Sequence, residues 1–168
     1  MNNHDSALRF RRSVVPDDVH IVRQLAESTG YFRPDEVDVA VELVETCLNM
    51  GVASGYSFIF AMLEAQTIGY VCYGPIACTI GSYDIYWIVV DRNAQGHGIG
   101  RKLMSECERL LVAAGARRVY VETSGKPQYE STRQFYHKCG YHTDAVLQDF
   151  YDLNDDKVIL VKPLVCQT

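Results

Sequence analysis

Three glycines crowd into Gln95-Gly96-His97-Gly98-Ile99-Gly100, between the most apolar stretch of the chain and an amphipathic run. The apolar stretch, Ser82 to Val90, contains Ile85-Tyr86-Trp87-Ile88-Val89-Val90 and lacks clean alternation. That pattern predicts a central strand covered on both faces. The run after the loop carries Ile99, Leu103, Cys107, Leu110 and Ala114 on one side and stops at Gly115, as an amphipathic helix does. A strand, a glycine loop and a helix in this order let several backbone N–H groups turn toward one point, where the helix dipole adds partial positive charge. The missing Cβ atoms allow close approach. A phosphate or diphosphate is the expected guest, with Arg92, Arg101 and Lys102 near in sequence to supplement the charge.

Three phosphate motifs compete for this segment. A P-loop requires Lys and then Ser or Thr directly after its last glycine, whereas Gly100 is followed by Arg101-Lys102-Leu103. A dinucleotide fingerprint requires G-x-G-x-x-G directly after a strand, with an acid at the end of the next one. Glu122 stands about where that acid would be, but Arg101 occupies the third glycine position and four residues separate Val90 from Gln95. Too little chain follows Glu122 for the rest of such a sheet. The third motif is Q/R-x-x-G-x-G/A, which the loop satisfies.

The remaining elements read as a mixed α/β order. Leu8 to Val15 is a first strand ended by Pro16. Asp17 and Asp18 open a helix with Val19, Val22, Leu25 and Ala26 on its apolar side, closed by Thr29-Gly30. Pro34-Asp35-Glu36 opens a second, with the stripe Val37, Val41, Val44 and Leu48, closed by Gly51. Tyr56 to Leu63 and Thr67 to Tyr73 form a hairpin around Glu64-Ala65-Gln66. Arg118 to Thr123 is a β-branched strand, Tyr129 to Cys139 a helix closed by Gly140, and Tyr141 to Val146 and Val158 to Val161 finish the sheet. The order is β-αα-β-β-β-α-β-α-β-β, in a single domain over residues 1–168.

Composition narrows the partners. At 168 residues, with 48% hydrophobic and 22% charged side chains, the chain can build a core and is not disordered. Acids exceed bases, for a net charge of −5, which runs against nucleic-acid binding and favours a cationic second substrate. No apolar run approaches the ~20 residues of a membrane helix, and Met1-Asn2-Asn3-His4-Asp5-Ser6 has no apolar signal core. The expectation is a cytoplasmic protein. Six cysteines without a C-x-x-C pair read as reduced, buried thiols. Five histidines without paired-ligand spacing leave a metal site unsupported.

The loop resembles the coenzyme A diphosphate cradle of the GNAT superfamily of N-acetyltransferases. The strand Ile85 to Val90 followed by Asp91 is similar to the strand before that loop in the family. Phe135-Tyr136-His137-Lys138-Cys139-Gly140-Tyr141 resembles the family's late F/L-Y-x-x-x-G-F/Y segment. The element order agrees, so the resemblance spans nearly the whole chain. Cys72-Tyr73-Gly74-Pro75-Ile76 and Asp149-Phe150-Tyr151 further resemble a bacterial subgroup with unassigned acceptors. Two departures stand out: Arg92 replaces a proline common after the strand's aspartate, and Tyr129 replaces an asparagine often found seven residues before the late tyrosine. The second removes the side-chain amide that would contact the acceptor or the pantetheine arm.

The resemblance implies a GNAT-like, mostly antiparallel sheet and transfer of an acetyl group from acetyl-CoA to a primary amine, on a small molecule, a peptide or protein N-terminus, or a lysine. An alkylammonium of pKa near 10.4 must lose a proton first, at a cost of about 4.6 kcal/mol at neutral pH. A carboxylate can take that proton. Glu122, set by alternation opposite Val119, Val121 and Thr123, is the first candidate base, ahead of Asp84, and is similar to the base of the family's ribosomal-protein alanine acetyltransferases. Asp84 matches the acidic position used in other members. Tyr136 matches the tyrosine that protonates the coenzyme sulfur. Val89 and Val90 would offer backbone N–H groups to the thioester carbonyl and pantetheine arm, and Gln95, Gly96, His97, Gly98, Ile99, Gly100 and Arg101 would hold the diphosphate. Tyr31-Phe32-Arg33 and the acidic segment Asp149 to Asp156 are candidate acceptor-binding pieces. A coenzyme-binding module without turnover is the rival reading, and edge strands near the C-terminus leave a homodimer open.

Overall fold

The computed structural model describes residues 8–164. Met1 to Ser6, including His4, and Cys166 lie outside the described residues. The chain divides into two compact units, each drawn from two separate stretches: Met1–Gly74 with Trp87–Cys107, and Pro75–Tyr86 with Glu108–Thr168.

The first unit contains β1 (Arg9–Arg11), α1 (Asp18–Thr29), α2 (Pro34–Met50), β2 (Ser57–Leu63), β3 (Gln66–Pro75) and the second half of β4 (Ser82–Val90). It also holds the first turns of α3 (Ile99–Ala113). Strands β1 and β3 flank β2, both antiparallel to it. The first strand is far shorter than Leu8 to Val15, because Asp18 captures the chain. Its fully buried carboxylate accepts bonds from Arg11 at 2.6 and 2.9 Å and from the Val15 amide at 2.8 Å. The Asp18 amide returns a bond to the Val15 carbonyl at 2.9 Å. A residue that the sequence offers to a helix dipole is therefore a buried anchor, which satisfies the cost of burying its charge by pairing. Val22 and Leu25 of α1 and Ala40, Val41 and Val44 of α2 pack on Phe58, Phe60, Tyr70, Cys72 and Val89.

The second unit contains the first half of β4, β5 (Arg118–Ser124), α4 (Glu130–Lys138), β6 (His142–Asp152) and β7 (Asp155–Pro163). Strand β5 runs parallel to β4, from Ser82 opposite Arg118 to Ile85 opposite Val121. Strand β7 pairs antiparallel with both β5 and β6, so the last strand lies between its predecessors. The strands neighbour one another in the order β1-β2-β3-β4-β5-β7-β6, and the element order is the expected one.

Two expectations are corrected here. The last two strands are much longer than Tyr141 to Val146 and Val158 to Val161. Aspartates normally depleted from strands here build the hairpin: Asp149 N–H donates to Asp156 Oδ1 at 3.0 Å, and Asn154 N–H donates to Asp149 Oδ1 at 2.6 Å. Strand β4 is not covered on both faces. Only Ile85 and Val89 are fully buried, Tyr86 is exposed, and Asp84, Ile88 and Val90 are half-buried. Its apolar run thus presents one partly open face.

Of the cysteines among the described residues, Cys72 and Cys107 are buried, Cys47 and Cys139 half-buried and Cys78 exposed, all free. Burial pushes the Cys72 thiol well up, as expected of an inert packing thiol. No helix among the described residues is long and apolar enough to cross a membrane.

Gly69 on β3 fixes how closely β3 and β4 approach. A Cβ at this position would lie 2.7 Å from the Val89 carbonyl oxygen and 3.3 Å from Val90 Cα. Both atoms are backbone and cannot rotate aside. Replacing Gly69 with Ala is expected to cost about 1–3 kcal/mol of stability, seen as a lower urea midpoint at unchanged slope.

Candidate active site

In the first unit, β4 ends where the Asp91 amide donates to the Ile68 carbonyl at 2.8 Å. The Asp91 side chain then accepts from the Asn93 amide at 2.8 Å, folding Arg92–Ala94 into a 3-10 turn. Gln95 reaches back and donates Nε2–H to the Val90 carbonyl at 3.1 Å. Gly96 and Gly98 both have positive φ, 80° and 76°, and a Cβ on either would meet nothing within 4 Å. Such φ values are costly for other residues, and the open space beside them is room for a ligand. Helix α3 starts with the Lys102 N–H bonded to the Gly98 carbonyl at 3.0 Å. Ile99, buried, pins its first turn, while His97 and Arg101 are exposed. His97 Nδ1 lies 3.0 Å from the Gln95 carbonyl, which curls the loop on itself. The predicted loop residues are therefore gathered at the head of one helix, as the spacing implied.

Val89 and Val90 face opposite ways. Because the Asp91 N–H bonds to β3, strand alternation turns the Val89 N–H to that side and the Val90 N–H away from it. Among the candidate acceptor pieces of this unit, Phe32 packs edge-on against Trp87, with ring centroids 4.7 Å apart. Arg33 caps α2 through a bond from its amide to Glu36 at 2.8 Å, and its guanidinium binds Asp35.

In the second unit, Asp84 and Glu122 share a face of the sheet. Asp84 stands opposite Tyr120 in the parallel ladder, and Glu122, two residues on, returns to the same side. The Asp84 carboxyl is pushed up to about 6, first by burial and then by the charge of Glu122, with Lys157 pulling it back. Glu122 is paired with Lys157, Nζ to Oε2 at 2.6 Å. The same ammonium sits 3.8 Å from the centroid of the Phe150 ring and 5.7 Å from that of Tyr151.

Tyr136 is buried on α4, edge-on to Phe135 and Tyr141 at 5.2 and 5.9 Å. Burial, and then Cys139, hold its hydroxyl above the ordinary range, so it keeps its proton. Arg133 ties the start of this helix to the end of β5, donating to the Ser124 carbonyl at 2.6 Å and the Lys126 carbonyl at 3.1 Å. Lys162 ties its end, donating to the Cys139 carbonyl at 2.7 Å and to Glu108 at 2.6 Å. His137 and Lys138 are exposed. Among the described residues, no three His, Cys, Asp or Glu side chains gather as metal ligands.

A sequence model of the GNAT acetyltransferase domain matches residues 54–143, more than half of the chain. The chain belongs to the GNAT acetyltransferases. A crystal structure from Desulfovibrio desulfuricans, assigned to the same family, is 45% identical over 95% of this chain and 100% of that one, with a TM-score of 0.93. Two more distant structures share the GNAT fold. One is an aminoglycoside 6'-N-acetyltransferase complexed with coenzyme A (18% identity, 96% and 99% coverage, TM-score 0.77). The other is a ribosomal-protein alanine N-acetyltransferase of Escherichia coli (16% identity, 94% and 94% coverage, TM-score 0.74). A comparison with curated proteins returned no match.

Sequence reasoning on this GNAT chain placed Phe150 and Tyr151 in a candidate acceptor segment but missed Lys157, which sits against both rings. The available signal was a single lysine facing an aromatic pair within an otherwise acidic segment. The raised carboxyl of Asp84 has a thermodynamic consequence. A folded-state value above that of the unfolded chain contributes stability at low pH, which is lost as pH rises from about 4 through about 6. Asp84→Asn removes that loss. At pH 7 the variant should be more stable than wild type by about 1 kcal/mol, the full shift being discounted for a half-exposed group. At pH 4 the difference should close, as paired urea titrations would show.

Proposed function

We propose that this chain transfers an acetyl group directly from acetyl-CoA to a primary amine of a small molecule or peptide, with Asp84 as the base. The observation that carries the reading is the loop Gln95–Gly100, whose two left-handed glycines leave open space at the amide-rich head of a 15-residue helix. Backbone N–H groups there suit a diphosphate, and Arg101 adds charge beside it. The coenzyme A complex of a protein with this fold supports the choice of guest. Bound acetyl-CoA supplies an activated acyl group as a thioester.

The residues then divide the work. Asp84, with its raised carboxyl, has a proton affinity closer to neutrality than an ordinary aspartate, which suits a general base. It accepts a proton from the acceptor's ammonium, and the free amine nitrogen forms a bond to the acyl carbon. The Val90 N–H, turned away from β3, is the donor for the developing oxyanion, the type of contact that contributes most to such reactions. As the carbon–sulfur bond breaks, the Tyr136 hydroxyl gives its proton to the departing thiolate, the attacking nitrogen releases its second proton to solvent as the amide forms, and solvent in turn reprotonates Tyr136 and deprotonates Asp84. Glu122 takes part through its charge, its carboxylate being bonded to Lys157. The acidic balance of the chain favours a cationic acceptor.

Isothermal calorimetry should show uptake of coenzyme A and acetyl-CoA by the wild type, weakened by Gly98→Val. Thiol release over polyamines, amino acids, aminoglycosides and peptide N-termini should identify the acceptor. Binding with no release on any amine would favour a silent coenzyme-binding module, and no binding would end the reading altogether. Asp84→Asn should lower kcat/KM by about 100-fold or more and by more than Glu122→Gln does. Tyr136→Phe should lower kcat with coenzyme affinity unchanged; full activity would leave Tyr136 a packing residue.

A further inference from the structure

We infer that Lys157 is a positioning residue for this reaction: clamped between Glu122 and the Phe150 ring, it fixes which of two neighbouring carboxylates handles the acceptor's proton. The inference rests on the proposed acetyl transfer. A lysine in an ordinary surface pair keeps its ammonium in water and contributes little. The Lys157 side chain is only 13% exposed, against 47% for its partner Glu122. Its ammonium has a carboxylate at 2.6 Å on one side and an aromatic face at 3.8 Å on the other. Both contacts require the protonated form.

The charges on that face of the second unit make the consequence specific. Asp84 comes from β4, Arg118 and Glu122 from β5, and Asp155 and Lys157 from β7, with the titratable phenols Tyr86 of β4, Tyr120 of β5 and Tyr151 of β6 beside them. Asp155 is already engaged, with Ser124 at 2.5 Å and Lys126 at 3.2 Å. After burial, the charge of Glu122 opposes ionisation of Asp84. With Lys157 present, the charge on Glu122 is compensated and its Oε2 is engaged, so Asp84 is left as the group that exchanges a proton. Without that ammonium the two carboxylates share the repulsion, and one proton is held by the pair to higher pH.

The test separates electrostatics from simple hairpin packing. Lys157→Met keeps an apolar stem against Phe150 and removes the charge, while Lys157→Arg keeps the charge. Carbon-13 spectra of the side-chain carboxyls, recorded on the resting protein from pH 4 to 8, give the Asp84 midpoint without any turnover. The midpoint should rise by about 0.5 pH unit or more in Lys157→Met, and the acid limb of kcat/KM should move with it. Lys157→Arg should return both to the wild-type position. A folded Lys157→Met protein with an unmoved Asp84 midpoint overturns the inference; if that variant does not fold, Lys157→Gln carries the same comparison. Wild-type protein that acetylates no amine would defeat the proposed function, and the resting titration would still decide what Lys157 does.

Discussion

The Val89 carbonyl stands where any side chain on Gly69 would be. That single exclusion lets β3 lie close to the end of β4, and the next backbone bond, from Asp91 to Ile68, stops the strand there. Everything in the glycine loop is then referenced to this stop. Asp91 turns the chain, Gln95 grips the Val90 carbonyl, and the two left-handed glycines deliver the chain to the head of α3. A ligand held by backbone amides is sensitive to where the backbone runs, so the precision of the loop is inherited from the packing of two strands.

A different logic governs the second unit. There side-chain charges are brought together, and the fold supplies compensation. Three charges lie together, two negative and one positive, with aromatic rings shielding the positive one. Asp84 is half-buried and destabilised when ionised. Proteins commonly give up stability at such places because the same discomfort drives the proton transfer. Tyr136 shows the same physics on a hydroxyl: burial strengthens its hold on the proton.

Much of this was legible in the residues. The glycine loop, the helix after it and the whole element order follow from local periodicity and turn chemistry, which depend on near neighbours in sequence. The face of Glu122 followed from strand alternation. What could not be read was decided by partners distant in the chain. Asp18 looked like a helix-start acid because nothing local announces Arg11 as a bidentate partner. The long final hairpin looked polar and irregular because its aspartates stabilise the backbone with side-chain bonds. The open face of β4 was hidden because an apolar run reads the same whether protein or a ligand covers it. The pairing of Glu122 with Lys157 spans two strands, and only their register brings the two residues together.

The position of β7 between β5 and β6 also bears on how the chain is made. During synthesis β5 and β6 emerge first, yet neither is the other's neighbour. Each must wait with an unfilled hydrogen-bonding edge until β7 has been made. Premature pairing of β5 with β6 would be a misfolded trap, and the aspartates along β6 give that edge the charge that discourages it until β7 arrives.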